Sequence, residues 1–279
     1  MAYKTVLVSL NDVSRTEAMV NAAALIAKNH DAHLIGCYVI PAVTIYPEVG
    51  FASPPAVDDT RQQYFKENLA AVKARFETRL RQDGLKGEWR TVNSFYTEMA
   101  PSLMEHGRTA DLILVSQIGE NQVAHVEPSF VDNTVLESGR PVLIIPRKGD
   151  LTEAGSVVVG FNATREAARA LFDGLPLLRG AKDVRVVWVD PNRERSVAGE
   201  VPGAEAAAAL ARHGVKATAE GLSAGGINAG EALLQHVNDL GAGLLVVGSY
   251  AHSRMREYIF GGATQYVLAH ANVPVLTSH

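Results

Sequence analysis

The sequence predicts an α/β chain made of two tandem, doubly wound, five-stranded parallel-sheet domains that pair with each other as a pseudo-dimer. Three observations carry this. The same succession of strand and helix signals occurs twice, the strand signals are continuous apolar runs rather than alternations, and each helix signal has a single apolar stripe. Apolar runs of this kind mark parallel strands buried on both faces by helices, and alternation of such strands with helices yields right-handed crossovers.

The repeat is visible element by element. Lys4-Thr5-Val6-Leu7-Val8-Ser9-Leu10-Asn11 opens the first half, and Ser156-Val157-Val158-Val159-Gly160-Phe161-Asn162 opens the second. Each run ends at an Asn with a hydroxyl residue shortly after it. Ser14, with Glu17 three positions on, predicts a capping box, and Thr164 predicts the cap of the second helix. Met19, Ala22, Ala23 and Ile26 share one helical face, as do Ala168, Leu171, Phe172 and Leu175. Gly180 is expected to close the second helix as its left-handed C′ residue.

Further along, 32–40 corresponds to 184–190, and both end at a proline, Pro41 or Pro191. The run 111–116 corresponds to 243–248, and 139–144 to 271–276. The halves differ between their second and third strands. The first has a Pro-rich loop, 41–55, then a long helix with Phe65, Leu69, Val72, Phe76 and Leu80 on one side. The second has a short Ala-rich helix over 204–213. A charged, Gly-containing segment, 147–155, separates domains expected at 1–147 and 155–279.

Composition narrows the partners. The formal net charge of −4 over 279 residues argues against a general affinity for nucleic acid or an anionic membrane. No uninterrupted apolar run approaches the roughly 18 residues of a membrane span, and the first ten residues lack a signal-peptide pattern. One cysteine, Cys37, lies in a strand-like run and reads as a small buried hydrophobe. A cytoplasmic protein is the expectation.

In open parallel sheets a ligand crevice lies beyond the carboxyl ends of the strands, where strand order reverses. The exits of the first and fourth strands therefore matter most. In the second half these are Gly160-Phe161-Asn162 and Val247-Gly248, followed by Ser249-Tyr250-Ala251. A loop with Arg254 and Arg256 leads to Gly261-Gly262-Ala263-Thr264, which opens a helix. Small residues let backbone approach a ligand, and exposed N–H groups at a helix start favour an anion. The arginines and the Thr264 hydroxyl add donors. Gly-Gly also fits a simple turn, the arginines fit solvated loop charges, and Asn162 fits an Asx turn.

At these residues the chain resembles the universal stress protein family in its tandem two-domain form, with a Gly-Gly-x-Thr ending found in bacterial members. The family motif is Gly, two residues, Gly, nine residues, Gly, then Ser or Thr. Here it reads Gly248, two residues, Ala251, nine residues, Gly261, then Gly262. The resemblance spans the whole chain and implies a Rossmann-like fold of the adenine nucleotide alpha hydrolase type. It implies an adenine nucleotide, ATP foremost, with Mg²⁺ accompanying it. In ATP-binding members the first strand ends at an Asp facing the nucleoside, where Asn162 stands here. A backbone contact to adenine maps to Val189. Ala251 and Gly262 each replace a motif residue, which implies weakened or altered binding. The first half departs further: Ser116-Gln117-Ile118-Gly119, nine residues, then Ser129-Phe130. Glu120, Glu127 and Asp132 make this loop acidic, and Asn11 again replaces the Asp. The first domain is expected to bind differently or not at all. Family members pair through the fifth strand, which places 142–145 against 273–277 within one chain, with a further homodimer of such chains by analogy.

The sequence has no Walker A loop, no Gly-x-Gly-x-x-Gly fingerprint and no Gly-x-Ser-x-Gly elbow. Gly225-Gly226 and Gly230 flank a helix start without the context of a dinucleotide loop. The nine histidines form no metal-ligand spacing, and His30 and His33 straddle a helix-to-strand turn. The expectation is a stress-response protein that binds a nucleotide without efficient catalysis. A slow ATPase or nucleotidyl-transfer enzyme is one alternative. A nucleotide-free scaffold, its crevice filled by Tyr250 or Phe161, is another.

Overall fold

The structure, a computed structural model, describes residues 2–46, 56–118, 125–152, 155–190, 203–249 and 262–279. In the first half, β1 (Thr5–Ser9) leads through a 3-10 turn (Val13–Arg15) into α1 (Thr16–His30). Then come β2 (His33–Ile40), the short β3 (Thr44–Tyr46) and β4 (Ala56–Asp58), α2 (Thr60–Asp83) and β5 (Gly87–Asn93). The half closes with α3 (Ala100–Gly107), β6 (Leu112–Ser116), α4 (Phe130–Glu137) and β7 (Val142–Ile145). The second half runs β8 (Ser156–Gly160), α5 (Arg165–Asp173), α6 (Leu175–Leu178), β9 (Asp183–Val189) and α7 (Ala204–Arg212). It continues with β10 (Ala217–Leu222), α8 (Ala229–Asp239), β11 (Leu244–Gly248), α9 (Ala263–His270) and β12 (Val275–Ser278).

All the long strands join one ten-stranded sheet in the order β10-β9-β8-β11-β12-β7-β6-β1-β2-β5, and β3 pairs with β4 separately. Pairing is parallel inside each half. Each half thus reads third-second-first-fourth-fifth, the predicted doubly wound order. The halves meet where β12 runs antiparallel to β7, Leu276 opposite Leu143. Leu143 and Leu276 are fully buried, and burying a leucine of this kind contributes roughly 1.5–3 kcal/mol. Polar contacts fasten the same junction. The Tyr3 hydroxyl donates to the Asp173 carbonyl at 2.7 Å. The Gln117 side chain donates to the carbonyls of Leu268 and Ala271, at 2.9 and 3.1 Å, closing the carboxyl end of α9.

Several local expectations hold. Met19, Ala22, Ala23 and Ile26 form the buried stripe of α1, and Phe65, Val72 and Phe76 that of α2. The Thr164 hydroxyl accepts the Ala167 N–H at 3.2 Å and caps α5. Three differ. Ser14 does not cap α1; its hydroxyl donates to Asp12 Oδ1 at 2.6 Å, because that carboxylate is the stronger acceptor, and the 3-10 turn delays the helix to Thr16. Gly180 is not left-handed. The second helix already breaks at Gly174, since Pro176 has no N–H to continue it, and α6 follows. With α5 so short, its buried stripe is Ala167, Ala170 and Leu171, while Phe172 is exposed.

Candidate functional site

In the second half the two strands flanking the order reversal, β8 and β11, exit side by side, with Gly160 opposite Val247. Backbone contact demands glycine at the β11 exit, and side chains crowd the β8 exit. A Cβ on Gly248 would lie 2.3 Å from the Ala167 backbone nitrogen, because the first turn of α5 seats directly on the end of β11. A Cβ on Gly160 would meet Leu233 and Val247 side chains at 2.9 and 3.0 Å. Beyond β8, Asn162 is exposed, and its Oδ1 accepts from the Thr164 hydroxyl at 2.8 Å and N–H at 3.4 Å, the expected Asx turn. Phe161 is half-buried, edge-on to Trp188 at 6.2 Å between ring centroids. Val189 ends β9, half-buried.

Gly262 is the N-cap residue of α9, at φ −53° and ψ 143°, and Thr264 lies buried in the first turn. What fixes this helix start is Gly230, which the sequence left unassigned. A Cβ there would sit 2.4 Å from the Ala263 carbonyl oxygen, so α8 crosses the start of α9 at backbone contact. Gly230 and Leu233 are three apart on one face of α8. That face ties the end of β8 to the start of α9. Ala251, Arg254, Gly261 and Tyr250 lie outside the described residues, as do Gly119 and Glu120 of the first half.

The first half has the same exits and a different interior. Ser9 pairs with Cys37 as Gly160 pairs with Val187, which makes Asn11 and Asn162 equivalent, and Val39 equivalent to Val189. Asn11 is 1 % exposed. Its Nδ2 donates to the Val39 carbonyl at 2.6 Å, its Oδ1 accepts the Val39 N–H at 3.1 Å, and Nδ2 also approaches Met99 Sδ at 3.0 Å. The neighbouring Asp12 carboxylate accepts from Ser14, from Ser116 Oγ at 2.9 Å and from Arg147 Nη1 at 3.3 Å. Glu127 turns inward: one oxygen accepts the Met99 and Ala100 N–H groups at 2.6 and 3.1 Å, and the other pairs with Arg61. A carboxylate is favoured at that helix start. Ser9, Asn11, Asp12, Ser116, Ile118, Val126 and Phe130 enclose a cavity of about 10 Å³, room for a single water.

Burial pushes the Cys37 thiol up to about 12, in keeping with a structural residue. His30 is held below the ordinary imidazole value by burial and then by Lys4. Among the described residues no group of three or more His, Cys, Asp or Glu could hold a metal ion, and no helix is long and apolar enough to cross a membrane.

Two segments, 2–146 and 155–279, each match the model of the Universal stress protein family. No curated protein matches the chain. Among solved structures, a universal stress protein from Archaeoglobus fulgidus DSM 4304 is similar at a TM-score of 0.71 and 13% identity, over 98% of this chain and 95% of that one. A functionally unknown protein from Pseudomonas aeruginosa PAO1 is similar at 0.61 and 16%, over 99% and 92%. A universal stress protein from Archaeoglobus fulgidus, solved in complex with dAMP, matches 52% of this chain and 98% of its own at 18% identity and a TM-score of 0.34.

Proposed function

The chain belongs to the universal stress protein family, in two tandem copies, and on that premise we propose that it is a nucleotide-binding stress-response protein with one working site, in its second domain. The ligand class is an adenine nucleotide, ATP first among them, with Mg²⁺ as counter-ion. Gly160, Asn162, Val189, Val247, Gly248, Gly262 and Thr264 would form the described part of the site, completed by Ala251, Arg254 and Gly261.

The observation that carries this reading is the contrast between the two strand exits. In the first domain Asn11, Asp12 and Glu127 spend their hydrogen bonds on the protein itself, and the cavity beside them, about 10 Å³, has room for one water at most. In the second domain Asn162 is exposed and Val189 is unclaimed by it. Gly248 lets the first turn of α5 seat on the end of β11 beside the exit of β8, and the first turn of α9, capped by Gly262, would offer backbone N–H groups to a phosphate.

Binding rather than turnover is the proposed mode of action. Gly160, Asn162, Val189, Val247, Gly248, Gly262 and Thr264 include no ionisable side chain to serve as a general base. Isothermal titration with AMP, ADP and ATP tests the ligand. Saturable heat from at least one of them is expected, and none at millimolar nucleotide would reject the reading. Asn162→Asp refines the test. A carboxylate keeps both acceptor bonds to Thr164 and offers charge to the ribose hydroxyls, which should tighten binding about tenfold, or about 1.4 kcal/mol.

A further inference from the structure

The two domains carry the same residue, Asn11 and Asn162, at the same place, and the structure uses them oppositely. We propose that Asn11 is the plug of the first domain, occupying the Val39 peptide as the edge of a nucleobase would, and that the residue after each Asn decides whether the plug forms. The inference rests on reading the second domain as the nucleotide site.

A carboxamide presents a donor and an acceptor side by side, as does the N6/N7 edge of adenine. Asn11 applies both to one peptide unit: Nδ2 to the Val39 carbonyl and Oδ1 to the Val39 N–H, at 2.6 and 3.1 Å. Strand β1 has ended at Ser9, so the side chain continues the sheet ladder where the backbone no longer can. The position is buried, and Met99 closes it from the α3 side.

The next residue explains the difference. In the first domain it is Asp12, whose carboxylate takes the Ser14 hydroxyl at 2.6 Å and leaves Asn11 free to turn inward. In the second it is Ala163, at φ +55°, which has no acceptor to offer. The Thr164 hydroxyl therefore goes to Asn162 Oδ1 at 2.8 Å and holds that side chain outward. Ser14, in the 3-10 turn three residues after Asn11, binds the Asp12 carboxylate, and Thr164, the N-cap of α5 two residues after Asn162, binds the carboxamide. Which acceptor the hydroxyl takes sets whether the strand end is plugged or open.

The direct test gives the second domain a competitor. Ala163→Asp offers Thr164 a carboxylate at a left-handed position that Asp tolerates and releases Asn162 toward Val189. AMP binding by the full chain should then weaken about tenfold or more. Added negative charge alone would also weaken it, so the deciding comparison repeats Ala163→Asp in an Asn162→Ala background, where the charge is present and no plug can form. A loss at least about threefold smaller in that background supports the plug. No loss in the wild-type background, or an equal loss in both, overturns it. Hydrogen exchange on the unaltered protein stands apart from any folding defect. The Val39 amide should exchange about 100-fold more slowly than the Val189 amide, and saturating AMP should slow Val189 alone. Equal exchange in the ligand-free protein overturns the plug. Absence of AMP binding together with a protected Val39 overturns only the nucleotide reading.

Discussion

At the scale of single residues the chain is governed by contacts a sequence shows unevenly. Gly248 belongs to a recognisable spacing, and the structure adds the reason, the Ala167 backbone 2.3 Å from where its Cβ would be. Gly248→Ala should therefore cost about 2–4 kcal/mol in urea unfolding. Gly262→Ala, at φ −53°, should stay within about 1 kcal/mol. Gly230 was not legible, because its partner Ala263 is remote in sequence and a helix-start glycine looks like many others. Asn11 and Asn162 are the same letter, and their roles separate only when hydrogen-bond partners are known. Cys37 was legible as a buried hydrophobe. With its thiol raised to about 12 by burial, it should resist thiol reagents at pH 8 in the folded protein and react once urea unfolds it. His30 sets a pH sign. Its folded value lies below the ordinary 6.5, first through burial and then through Lys4, so the folded state binds fewer protons. Its contribution to stability is complete above pH 6.5 and is lost as pH falls toward the folded value. His30→Asn should flatten that part of a stability–pH curve; an unchanged slope would contradict the assignment.

At the scale of elements, strand identity was the most legible feature. Buried parallel strands must be apolar throughout, and β1, β6, β8 and β11 are written that way. Helix boundaries were less so. Thr164 reads correctly as a cap, and Thr164→Ala should cost about 1 kcal/mol, measurable as a lowered denaturation midpoint. Ser14 has the same sequence signature, yet Asp12 two residues earlier takes its hydroxyl. Competition between a side-chain carboxylate and backbone N–H groups is a three-dimensional contest that a capping pattern does not record. The break between α5 and α6 has the same character. Pro176 sits at the start of a second helix rather than beyond the end of the first, so the apolar stripe shifts and Phe172 faces outward.

At the scale of the whole molecule, duplication gives one sheet with two equivalent strand ends whose asparagines are bonded differently. The antiparallel β7–β12 pair makes the halves a single ten-stranded structure, as the family resemblance implied. Gln117 binds the halves chemically, holding the Leu268 and Ala271 carbonyls and accepting the Arg147 N–H at 2.9 Å. Gln117→Ala leaves these buried groups unpaired and should destabilise the protein by about 1–3 kcal/mol. It should do so in one cooperative transition if the halves unfold together. The acidic loop of the first domain was legible in the sequence. The inward turn of Glu127 onto the Met99 and Ala100 amides was not, because those partners are remote in sequence. The measurement that bears most directly on this account is the number and location of nucleotides bound per chain, from photolabelling with 8-azido-AMP, native mass spectrometry and peptide mapping. One nucleotide per chain, attached only to second-domain peptides, is the predicted result; two per chain, or one attached to the first domain, would contradict it.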